Sequence, residues 1–530
     1  MDNLKTHISP RLRYLIDNNQ QHLLCNGLKG IEKESLRISK QGAIASTTHP
    51  KALGAALTHP SITTDYSEAL LEFITEPFAD IKQTLASMHQ IHQFVYQNLG
   101  NEILLAASMP CGINGDKSIP IAEYGSSNIG KMKHIYRKGL WHRYGRTMQA
   151  IAGIHFNYSV PKPLWQALKQ QHNNPEQSLE DFISENYFKI IRNFQRQGWL
   201  ILYLFGASPA ICKNFFKSRP QLMSQFVEFD KYTLYHPSAT SLRMSDIGYK
   251  SKNQASLKIN YNSLDGYVDT LTAAMNTPYA DYENIGVKVD GEYNQLSGNI
   301  LQIENEFYNT VRPKQIMQSG EKPTLALKRR GVEYIEIRSL DLDLFNPIGI
   351  DEDKARFVEA FLLHCLLEDS PLQTEDEQAI NNSNQLTVAH AGRQENTVLN
   401  KHGEIIPLRK WAGDILEAMQ PVCEILDAND ANKPYRAALK LKQSLVKDSA
   451  LTPSAKILQQ MREQEIPFGR FGLDASAEHE KYFKSLPPLD DAIVQQFKEM
   501  ATESYQKQAR IEADDNLGFD EFLANYFTQH

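Results

Sequence analysis

The sequence predicts an α+β protein in which an antiparallel sheet curves around a site and helices surround the sheet. Several short segments within the first 340 residues alternate between apolar side chains and acidic or polar ones. A strand with one buried face and one face that lines a site has this period of two. Longer segments follow helical spacing, and helical patterns dominate from about residue 410 to the end.

At 530 residues the chain is longer than one ordinary core, and length alone suggests roughly three domain-sized units. A single elaborated catalytic domain is the alternative. The pattern changes after Asp341, where a helix over 351–369 is followed by a polar segment over 370–400 that is predicted as loop. We therefore predict a catalytic core over residues 1–370 and a mainly helical region over 371–530 that packs on it.

Composition and charge are those of an ordinary globular protein, with 41% hydrophobic and 22% charged residues. The net charge of −7 gives no support to nucleic-acid binding, which needs basic patches. Any anionic substrate must therefore be met by local arginine or lysine side chains or by a metal ion. The start of the chain lacks the apolar core of a signal peptide, and the longest apolar stretch, 199–212, is too short to span a bilayer. We expect a cytoplasmic protein without a membrane partner.

The five cysteines are odd in number and widely scattered, and no pair has Cys-x-x-Cys spacing. The spacing therefore indicates neither a zinc site nor a disulfide framework.

Glu32 and Glu34 stand two apart in the first alternating segment, residues 30–38. On a strand both carboxylates point to the same side. Two adjacent anions repel each other, so one stays protonated unless a cation lies between them, and Mg²⁺ or Mn²⁺ prefers carboxylate oxygens. The alternative is a solvated strand face whose glutamates pair with Lys33 or Arg37. Recurrence of the pattern elsewhere in the chain favours the metal.

The remaining elements are predicted in order along the chain. An amphipathic helix covers residues 5–24, a strand runs from about 69 to 75, and Asp80 caps a helix over 81–99. Residues 150–160 alternate as a strand, and 179–204 form a long helix that Gly206 and Pro209 end. Residues 299–308 and 331–340 alternate again. Each strand places polar side chains on one face, namely Glu72, His155, Asn157, Gln302, Glu304, Glu306, Tyr308, Tyr334, Glu336 and Arg338.

Residues 125–131 match a phosphate-binding loop up to the last position, where Met132 replaces the hydroxyl residue that would hold Mg²⁺. Pro120 also makes the preceding segment a poor central strand. We therefore reject a nucleotide-binding motif of this kind. The loop is predicted to act instead as a mobile cationic flap, with a basic surface loop as the alternative. Its basic and aromatic residues are Lys131, Lys133, Tyr136, Arg137 and Arg143.

In one curved sheet the polar strand faces would gather six side chains: Glu32, Glu34, Glu72, His155, Glu336 and Arg338. So many carboxylates on one surface are costly without compensation, and two or three divalent metal ions would neutralise them. Arg338 would then face a transferring phosphoryl group, a role for a charged planar donor. Arg243, in a polar loop over 240–249, is suited to grip a carboxylate bidentately. The pattern predicts phosphoryl transfer from a nucleotide to a substrate by metal ions and positioning.

The chain resembles the glutamate–cysteine ligases (γ-glutamylcysteine synthetases) of the proteobacterial type over nearly its whole length. The matching segments are 30–37, 55–75, 108–112, 124–137, 153–159, 205–212, 239–249, 299–308, 312–314 and 331–349. The match weakens after about residue 370, so the C-terminal helices add little to it. The resemblance implies a glutamine-synthetase-like fold, in which a curved antiparallel sheet forms the active site and helices surround it.

The resemblance also implies ATP-dependent joining of the γ-carboxylate of L-glutamate to the amine of L-cysteine, the first step of glutathione synthesis. The γ-carboxylate would attack ATP to give a γ-glutamyl phosphate, and the cysteine amine would then displace phosphate. ATP is thus the implied co-substrate and Mg²⁺ or Mn²⁺ the implied cofactor. Feedback inhibition by glutathione is implied in the same way, and we expect a monomer.

Carried over by position, the metal ligands would be Glu32, Glu34, Glu72, His155 and Glu336, with Asp65 and Glu68 nearby. Arg338 would stabilise the acyl phosphate, and Arg137 on its flap would close over the phosphates. Arg243 would hold the cysteine carboxylate, and the other substrate-binding residues would be Tyr136, Tyr249, Tyr308, Tyr66 and Asp65. Tyr66 stands where the family pattern has phenylalanine. The later cysteines of the family, past the catalytic core, are not matched, so a disulfide there is not assumed.

Two alternatives stay open. The first is a ligase of the same fold with another amine acceptor, because specificity for cysteine depends on a pocket that sequence cannot size. The second is a catalytically silent regulatory subunit, which should have lost acidic ligands or the phosphate-facing arginine. Here all of these residues are present.

Overall fold

The computed structural model describes residues 8–172, 174–247, 257–318 and 320–529. Within them the strands are β1 (Leu28–Ser39), β2 (Ile62–Thr64), β3 (Leu70–Ile74), β4 (Glu102–Leu104), β5 (Ile154–Ser159), β6 (Ala210–Cys212), β7 (Val227–Glu228), β8 (Thr233–Tyr235), β9 (Lys288–Val289), β10 (Glu292–Tyr293), β11 (Val311–Lys314), β12 (Tyr334–Leu340), β13 (Val398–Lys401) and β14 (Glu404–Pro407). The central sheet has the order β11-β12-β5-β1-β3-β2, and β4 also pairs with β1. All of its pairings are antiparallel.

The helices surround this sheet and continue to the end of the described chain. They are α1 (Pro10–Asp17), α2 (Ile81–Asn98), α3 (Asn128–Tyr144), α4 (Lys162–His172), α5 (Leu179–Gln197), α6 (Trp199–Phe205), α7 (Leu264–Asn276), α8 (Ala280–Ile285), α9 (Pro323–Arg330), α10 (Glu352–Leu367), α11 (Glu375–Ala391), α12 (Leu408–Ala418), α13 (Gln420–Leu426), α14 (Pro434–Lys447), α15 (Pro453–Glu463), α16 (Phe468–Ser485), α17 (Asp491–Ala513) and α18 (Phe519–Phe527). Among these helices none has the length and apolar character needed to cross a membrane. The predicted α+β class with an antiparallel sheet is confirmed.

The strand register brings the predicted metal ligands level with one another. Glu32 of β1 lies opposite His155 of β5, and Glu34 lies opposite Glu72 of β3. Glu336 of β12 lies opposite Asn157 of β5. Directly opposite residues of an antiparallel pair project to the same face. These side chains therefore share one side of the sheet.

The other side of the sheet packs against helices and forms the main hydrophobic core. Ile31 and Phe73 are fully buried there. Helix α2 begins after Asp80, whose carboxylate accepts a hydrogen bond from the backbone N–H of Lys82, as the sequence predicts. Helix α10 is buried along nearly its whole length, which places it at the centre of the core. The ligands on β1 thus stand on a strand that is supported from behind.

Four predictions of local structure are wrong. Residues 299–308 do not form a strand, since the segment is irregular apart from a turn of 3-10 helix at Glu304–Glu306. The predicted flap loop is instead α3, which Ser127 caps by accepting a hydrogen bond from the Gly130 N–H at 3.2 Å. The predicted loop over 370–400 contains α11 and β13. The helix predicted over 5–24 is only α1 followed by a 3-10 turn at Gln21–Leu24, with residues 5–7 outside the described chain.

The C-terminal helices contact segments that border the site. The Ser504 hydroxyl of α17 accepts a hydrogen bond from the Ala55 N–H at 2.8 Å. Asp515, just after α17, accepts hydrogen bonds from the backbone and side-chain nitrogens of Asn128, the first residue of α3. Helix α18 packs Leu523 and Tyr526 in a hydrophobic cluster with Met132 of α3. The end of the chain therefore contacts the helix that carries Tyr136 and Arg137.

Cys111 and Cys212 form a disulfide with their Cα atoms 5.8 Å apart, which corrects the expectation drawn from cysteine spacing. The two residues are 101 positions apart, so only the tertiary fold brings them together. Cys365 and Cys423 are free and buried.

Candidate active site

The imidazole of His155 lies at the centre of the site among three carboxylates. Its Nδ1 is 3.0 Å from Glu32 Oε2 and 3.6 Å from Glu336 Oε1. Its Nε2 is 3.5 Å from Glu34 Oε1. The strand pairing of β5 between β1 and β12 produces this arrangement, because it places His155 beside acids of both neighbours.

Two groups of potential metal ligands meet at His155. One consists of Glu32, His155 and Glu336, and the other of Glu34, Glu72 and His155. Within each group the ligand atoms lie within 4.8 Å of one another. Carboxylate oxygens with one imidazole nitrogen are ligands suited to Mg²⁺ or Mn²⁺. All five predicted metal ligands are thus brought together.

Backbone and amide groups fix the two glutamates of β1. Asn157 Nδ2 donates a hydrogen bond to Glu32 Oε1 at 2.9 Å, and the Gly153 N–H donates one to Glu34 Oε2 at 2.6 Å. Lys33 and Arg37 do not pair with either glutamate. They contact other groups instead, Lys33 the side chains of Ser35 and His92 and Arg37 the side chain of Glu102. The alternative of a solvated strand face is therefore wrong.

The carboxylates of Glu34 and Glu72 are held in an environment that opposes their ionisation. Burial raises the pKa of Glu34, and the nearby Asp65 carboxylate adds to this effect. Burial also raises the pKa of Glu72 well above its usual value, and the charges of Glu32, Asp65 and Glu34 raise it further. A cation bound between Glu34 and Glu72 would lower both pKa values and favour the charged carboxylates.

Cationic side chains have the opposite effect on Glu32 and Glu336. Burial acts to raise the pKa of Glu32, but the hydrogen bond and charge of His155, together with the charge of Lys314, leave the pKa below its usual value. Burial acts in the same way on Glu336, yet Lys314, Arg338 and His155 hold its pKa well below the usual range. The Lys314 ammonium is 3.4 Å from Glu336 Oε1.

Arg338 reaches the site from β12, as its alternation with Glu336 predicts. Its Nη1 is 3.2 Å from Glu336 Oε2 and 3.4 Å from His155 Nδ1. The side chain is 14% exposed, so it lies at the mouth of the acidic cluster rather than beneath it. Burial acts to lower its pKa, but the carboxylates of Glu336, Glu34 and Glu32 together raise it above the usual value. The guanidinium is thus a permanent cation beside the potential metal ligands.

Arg243 lies next to Arg338, although the two residues are far apart in the sequence. Its Nη2 donates a hydrogen bond to the Arg338 carbonyl at 3.0 Å, and its side chain is 2% exposed. Gly153 leaves room for it, because a Cβ atom at that position would come within 1.9 Å of Arg243 Nη2. Tyr308 lies in the same electrostatic environment, where burial raises the pKa of its phenol and the charges of Arg338, Glu34 and Arg243 act on it.

Tyr136 and Arg137 approach the site on α3. Arg137 Nε donates a hydrogen bond to the backbone carbonyl of Asp65, and the guanidinium lies 4.7 Å from the centre of the Tyr124 ring. Burial raises the pKa of the Tyr136 phenol, which is also affected by Glu306 and Arg137. Asp65 thus lies between α3 and the carboxylates of Glu34 and Glu72.

Three predicted neighbours of the site differ from the expectation or lie beyond it. The carboxylate of Glu68 accepts hydrogen bonds from the backbone N–H groups of His49 and Glu123. Its hydrogen bonds therefore hold two loops together and do not connect it to the carboxylates around His155. Tyr66 is 2% exposed, and its hydroxyl has no hydrogen-bond partner in the described part of the chain. Tyr249 lies outside the described residues.

Sequence reasoning missed two side chains of the site. Lys314 belongs to a matched segment, but β11 is too short to give a clear alternating pattern. Asp341 follows β12 directly and lies against Arg243. Its hydrogen-bond partners come from distant loops, so no local pattern could have revealed it.

An antiparallel sheet that carries clustered carboxylates, a histidine and flanking guanidinium groups on one face is suited to an enzyme of the ATP-dependent carboxylate–amine ligase class. A family model described as glutamate-cysteine ligase matches residues 12–388. The chain belongs to the glutamate–cysteine ligase family.

Relatives and solved structures agree with this assignment. The chain is 47% identical over 526 residues to a glutamate–cysteine ligase of Alcanivorax borkumensis, covering 98% of this chain and 99% of that protein. It is 48% identical over 520 residues to the enzyme of Azotobacter vinelandii, covering 98% and 97%. The fold is similar to a crystal structure of a Francisella tularensis glutamate–cysteine ligase in complex with AMP, with a TM-score of 0.89, 38% identity, and coverage of 95% of this chain and 98% of that one. These matches confirm the expected activity, which is ATP-dependent formation of γ-glutamylcysteine, the first step of glutathione synthesis. They do not support the alternative that the chain is a catalytically silent subunit.

Proposed function

We propose that Glu32, Glu34, Glu72, His155 and Glu336 hold Mg²⁺ or Mn²⁺ in the ligase reaction. The observation that carries the proposal is the pair of ligand groups that share His155. The donor set fits a hard divalent cation, and the raised pKa values of Glu34 and Glu72 indicate carboxylates whose burial outweighs the effect of the nearby positive groups. When bound, the metal would neutralise charge on the phosphate oxygens of ATP.

The reaction needs two substitutions, one at phosphorus and one at carbon. In the first, the γ-carboxylate oxygen of L-glutamate forms a bond to the γ-phosphorus of ATP, and the bond to the β-phosphate oxygen breaks to release ADP. In the second, the amine of L-cysteine forms the amide bond to the γ-carbon, and phosphate leaves with the electron pair of the broken C–O bond. The amine loses a proton in this step.

Arg338 and Arg137 would supply the fixed positive charge for the first substitution. Arg338 projects from the rigid β12, so its guanidinium is held in place before the phosphoryl group arrives. Arg137 stands on α3 across the site, where it would contact the phosphates from the opposite side. Both roles use the planar fork of arginine to bind phosphate oxygens.

Arg243 would hold the carboxylate of the cysteine acceptor. It is buried and lies beside Arg338, so a carboxylate bound there would stand next to the acyl phosphate. Tyr308, Tyr136 and Tyr66, together with Tyr249, would line the acceptor pocket, and Asp65 would lie between this pocket and the metal ligands. Tyr66 presents its hydroxyl where the family pattern has phenylalanine, so the pocket of this enzyme would be slightly more polar.

The experiment that tests this proposal measures ADP release with Mg-ATP and L-glutamate. L-cysteine, L-2-aminobutyrate, L-alanine and ammonia are added in turn as acceptors. Turnover that is strongest with cysteine and next with 2-aminobutyrate would support the proposed acceptor pocket for cysteine. Turnover mainly with another amine would mean that the acceptor substrate is not cysteine. Chelation of divalent ions by EDTA should abolish ADP release, and Mg²⁺ or Mn²⁺ should restore it. Full turnover in EDTA would contradict the role of the five ligands.

We further propose a monomeric, cytoplasmic enzyme with a catalytic core over residues 1–370 and a helical region over 371–530 packed on it. ATP and reduced cysteine are both available in the cytoplasm. Glutathione contains the γ-glutamyl and cysteinyl groups of the product, so it should inhibit by occupying the two amino-acid sites. Light scattering and inhibition kinetics against glutamate test these points.

A further inference from the structure

Asp341 is a buried carboxylate that the proposed mechanism does not use. It follows β12 directly, three positions after Arg338, and its side chain has no exposed surface. Its Oδ2 accepts hydrogen bonds from the Ala207 N–H at 2.8 Å and from the Ser208 hydroxyl at 2.6 Å. Its Oδ1 accepts one from the Ser241 hydroxyl at 2.9 Å. One carboxylate thus connects the loops before β6 and before Arg243 to the end of the active-site strand.

The nearest cation to this carboxylate is Arg243. Asp341 Oδ1 is 3.8 Å from Arg243 Nη1, and both side chains are at most 2% exposed. Charges interact strongly at such a distance when they are shielded from water, because the effective dielectric constant is low. Burial raises the pKa of Asp341, whereas the charge of Arg243 and the three hydrogen bonds act against that rise.

The guanidinium of Arg243 is confined between Asp341 and the active-site sheet. Nη1 donates a hydrogen bond to Met244 Sδ at 3.1 Å and lies 3.8 Å from Asp341, and Nη2 donates its hydrogen bond to the Arg338 carbonyl. Gly153 bounds the remaining space, since a side chain there would overlap the guanidinium. Asp341, the Arg338 carbonyl and Gly153, which are not residues of the proposed acceptor pocket, thus constrain the orientation of Arg243.

We propose that Asp341 is a positioning residue that holds the Arg243 guanidinium in the orientation required to bind the acceptor carboxylate. The inference rests on the proposed role of Arg243. Asp341 acts through its charge, so its effect should be limited to acceptors that carry a carboxylate. A residue that only tied the loops together would affect every substrate that the loops surround.

The test compares Asp341→Asn with the unchanged enzyme for three acceptors. L-cysteine and L-2-aminobutyrate have a carboxylate, whereas cysteamine has the amine and thiol of cysteine but no carboxylate. With Asp341→Asn, KM for the first two should rise by roughly 10- to 100-fold, the range for loss of a charged partner. KM for cysteamine, KM for glutamate and kcat should each stay within about threefold. Equal changes in KM for all three acceptors would overturn the proposal.

Ser208→Ala is the matched control. It removes the 2.6 Å hydrogen bond to Asp341 and the longer hydrogen bonds of the Ser208 hydroxyl with the Arg243 N–H and the Ser241 hydroxyl, but it leaves the carboxylate charge in place. KM for cysteine in this variant should stay within about threefold of the unchanged enzyme. If Ser208→Ala reproduces the effect of Asp341→Asn, Asp341 acts as a loop tie and the proposal fails.

Two more variants separate the possible failures. Asp341→Ser removes the same charge with a smaller side chain and should give the same selective rise in KM, which keeps the test valid if Asp341→Asn does not fold. Arg243→Ala tests the proposed function itself. If Arg243→Ala raises KM for cysteine and cysteamine equally, Arg243 does not bind the acceptor carboxylate. Asp341 then cannot act by positioning a carboxylate-binding arginine. If Arg243→Ala is selective and neither Asp341→Asn nor Asp341→Ser is, only the inference about Asp341 fails.

Discussion

Lys33 stands between Glu32 and Glu34 on β1, and it is predicted to destabilise the folded protein at neutral pH. Its side chain is 4% exposed, and the ammonium contacts Ser35 Oγ at 2.8 Å and His92 Nε2 at 2.9 Å. Neither partner is an anion. Burial lowers the pKa of Lys33 to about 7 from the usual 10.5.

The pH dependence follows from this lowered pKa. Between about pH 7 and 10.5 the unfolded chain holds a proton on Lys33 that the folded protein has released. Stability therefore rises with pH across this window. At about 1.4 kcal/mol per pKa unit, the lysine costs roughly 4 kcal/mol at pH 7 and roughly 1 kcal/mol at pH 10.

Lys33→Met should remove this cost while keeping a side chain of similar length. The loss of partners for Ser35 and His92 offsets about 1–2 kcal/mol of the gain. We expect a net increase in the free energy of unfolding of roughly 2–3 kcal/mol at pH 7 and almost none at pH 10. Urea unfolding at the two pH values measures both numbers.

Lys410→Met is the control, because the Lys410 side chain is 63% exposed. It should change the free energy of unfolding by less than about 0.5 kcal/mol at either pH. Lower stability of Lys33→Met at pH 7, or a difference that is the same at pH 7 and pH 10, would refute the assigned cost of the buried lysine.

Glu34→Gln should lower turnover by about 100-fold or more, because the amide carries no charge for a metal. The circular dichroism spectrum should be unchanged, because the amide still accepts the Gly153 hydrogen bond. Normal turnover would exclude the metal role of Glu34. Arg338→Lys should lower kcat by about 100-fold while KM for ATP stays within about threefold, and a change confined to KM would contradict the role in the transition state. Mg²⁺ should raise the melting temperature more at pH 8 than at pH 5.5, since the raised pKa values of Glu34 and Glu72 leave these ligands partly protonated in acid. Equal shifts at both pH values would show that proton release is not coupled to metal binding.

The acidic part of the site could be predicted from sequence because it depends on a local property. On β1, β5 and β12 a period of two decides which side chains share a face, and strand pairing then places Glu32, His155 and Glu336 together. The segment over 299–308 shows the limit of this reasoning. Its alternation is equally clear, yet the Glu306 carboxylate accepts the Gln302 N–H at 2.8 Å. A side chain thus satisfies a backbone group that a neighbouring strand would otherwise bond.

Tertiary contacts decide the features that sequence reasoning missed. Helix α11 was predicted as loop because it is rich in asparagine and glutamine, but one of these residues has a structural partner: the Asn384 side chain bonds to the Asn400 carbonyl at 2.7 Å and accepts from the Asn400 N–H at 2.9 Å. Asp341 acquires its partners only when the loops with Ser208 and Ser241 meet β12. Such contacts leave no periodic pattern in the chain.

The solvated-strand and metal-site interpretations of Glu32-Lys33-Glu34 differ in the position of the Lys33 side chain. This position connects the stability of β1 to its function. On a solvated strand Lys33 could reach around to either glutamate. Here helices cover the face of β1 that carries Lys33 and Arg37, and both cations are buried there with other partners. The glutamates are left facing His155 without compensation from their own strand. The same alternation that places the lysine in the core therefore leaves Glu32 and Glu34 without a cation from their own strand, and a bound divalent cation would supply positive charge beside Glu34 and Glu72.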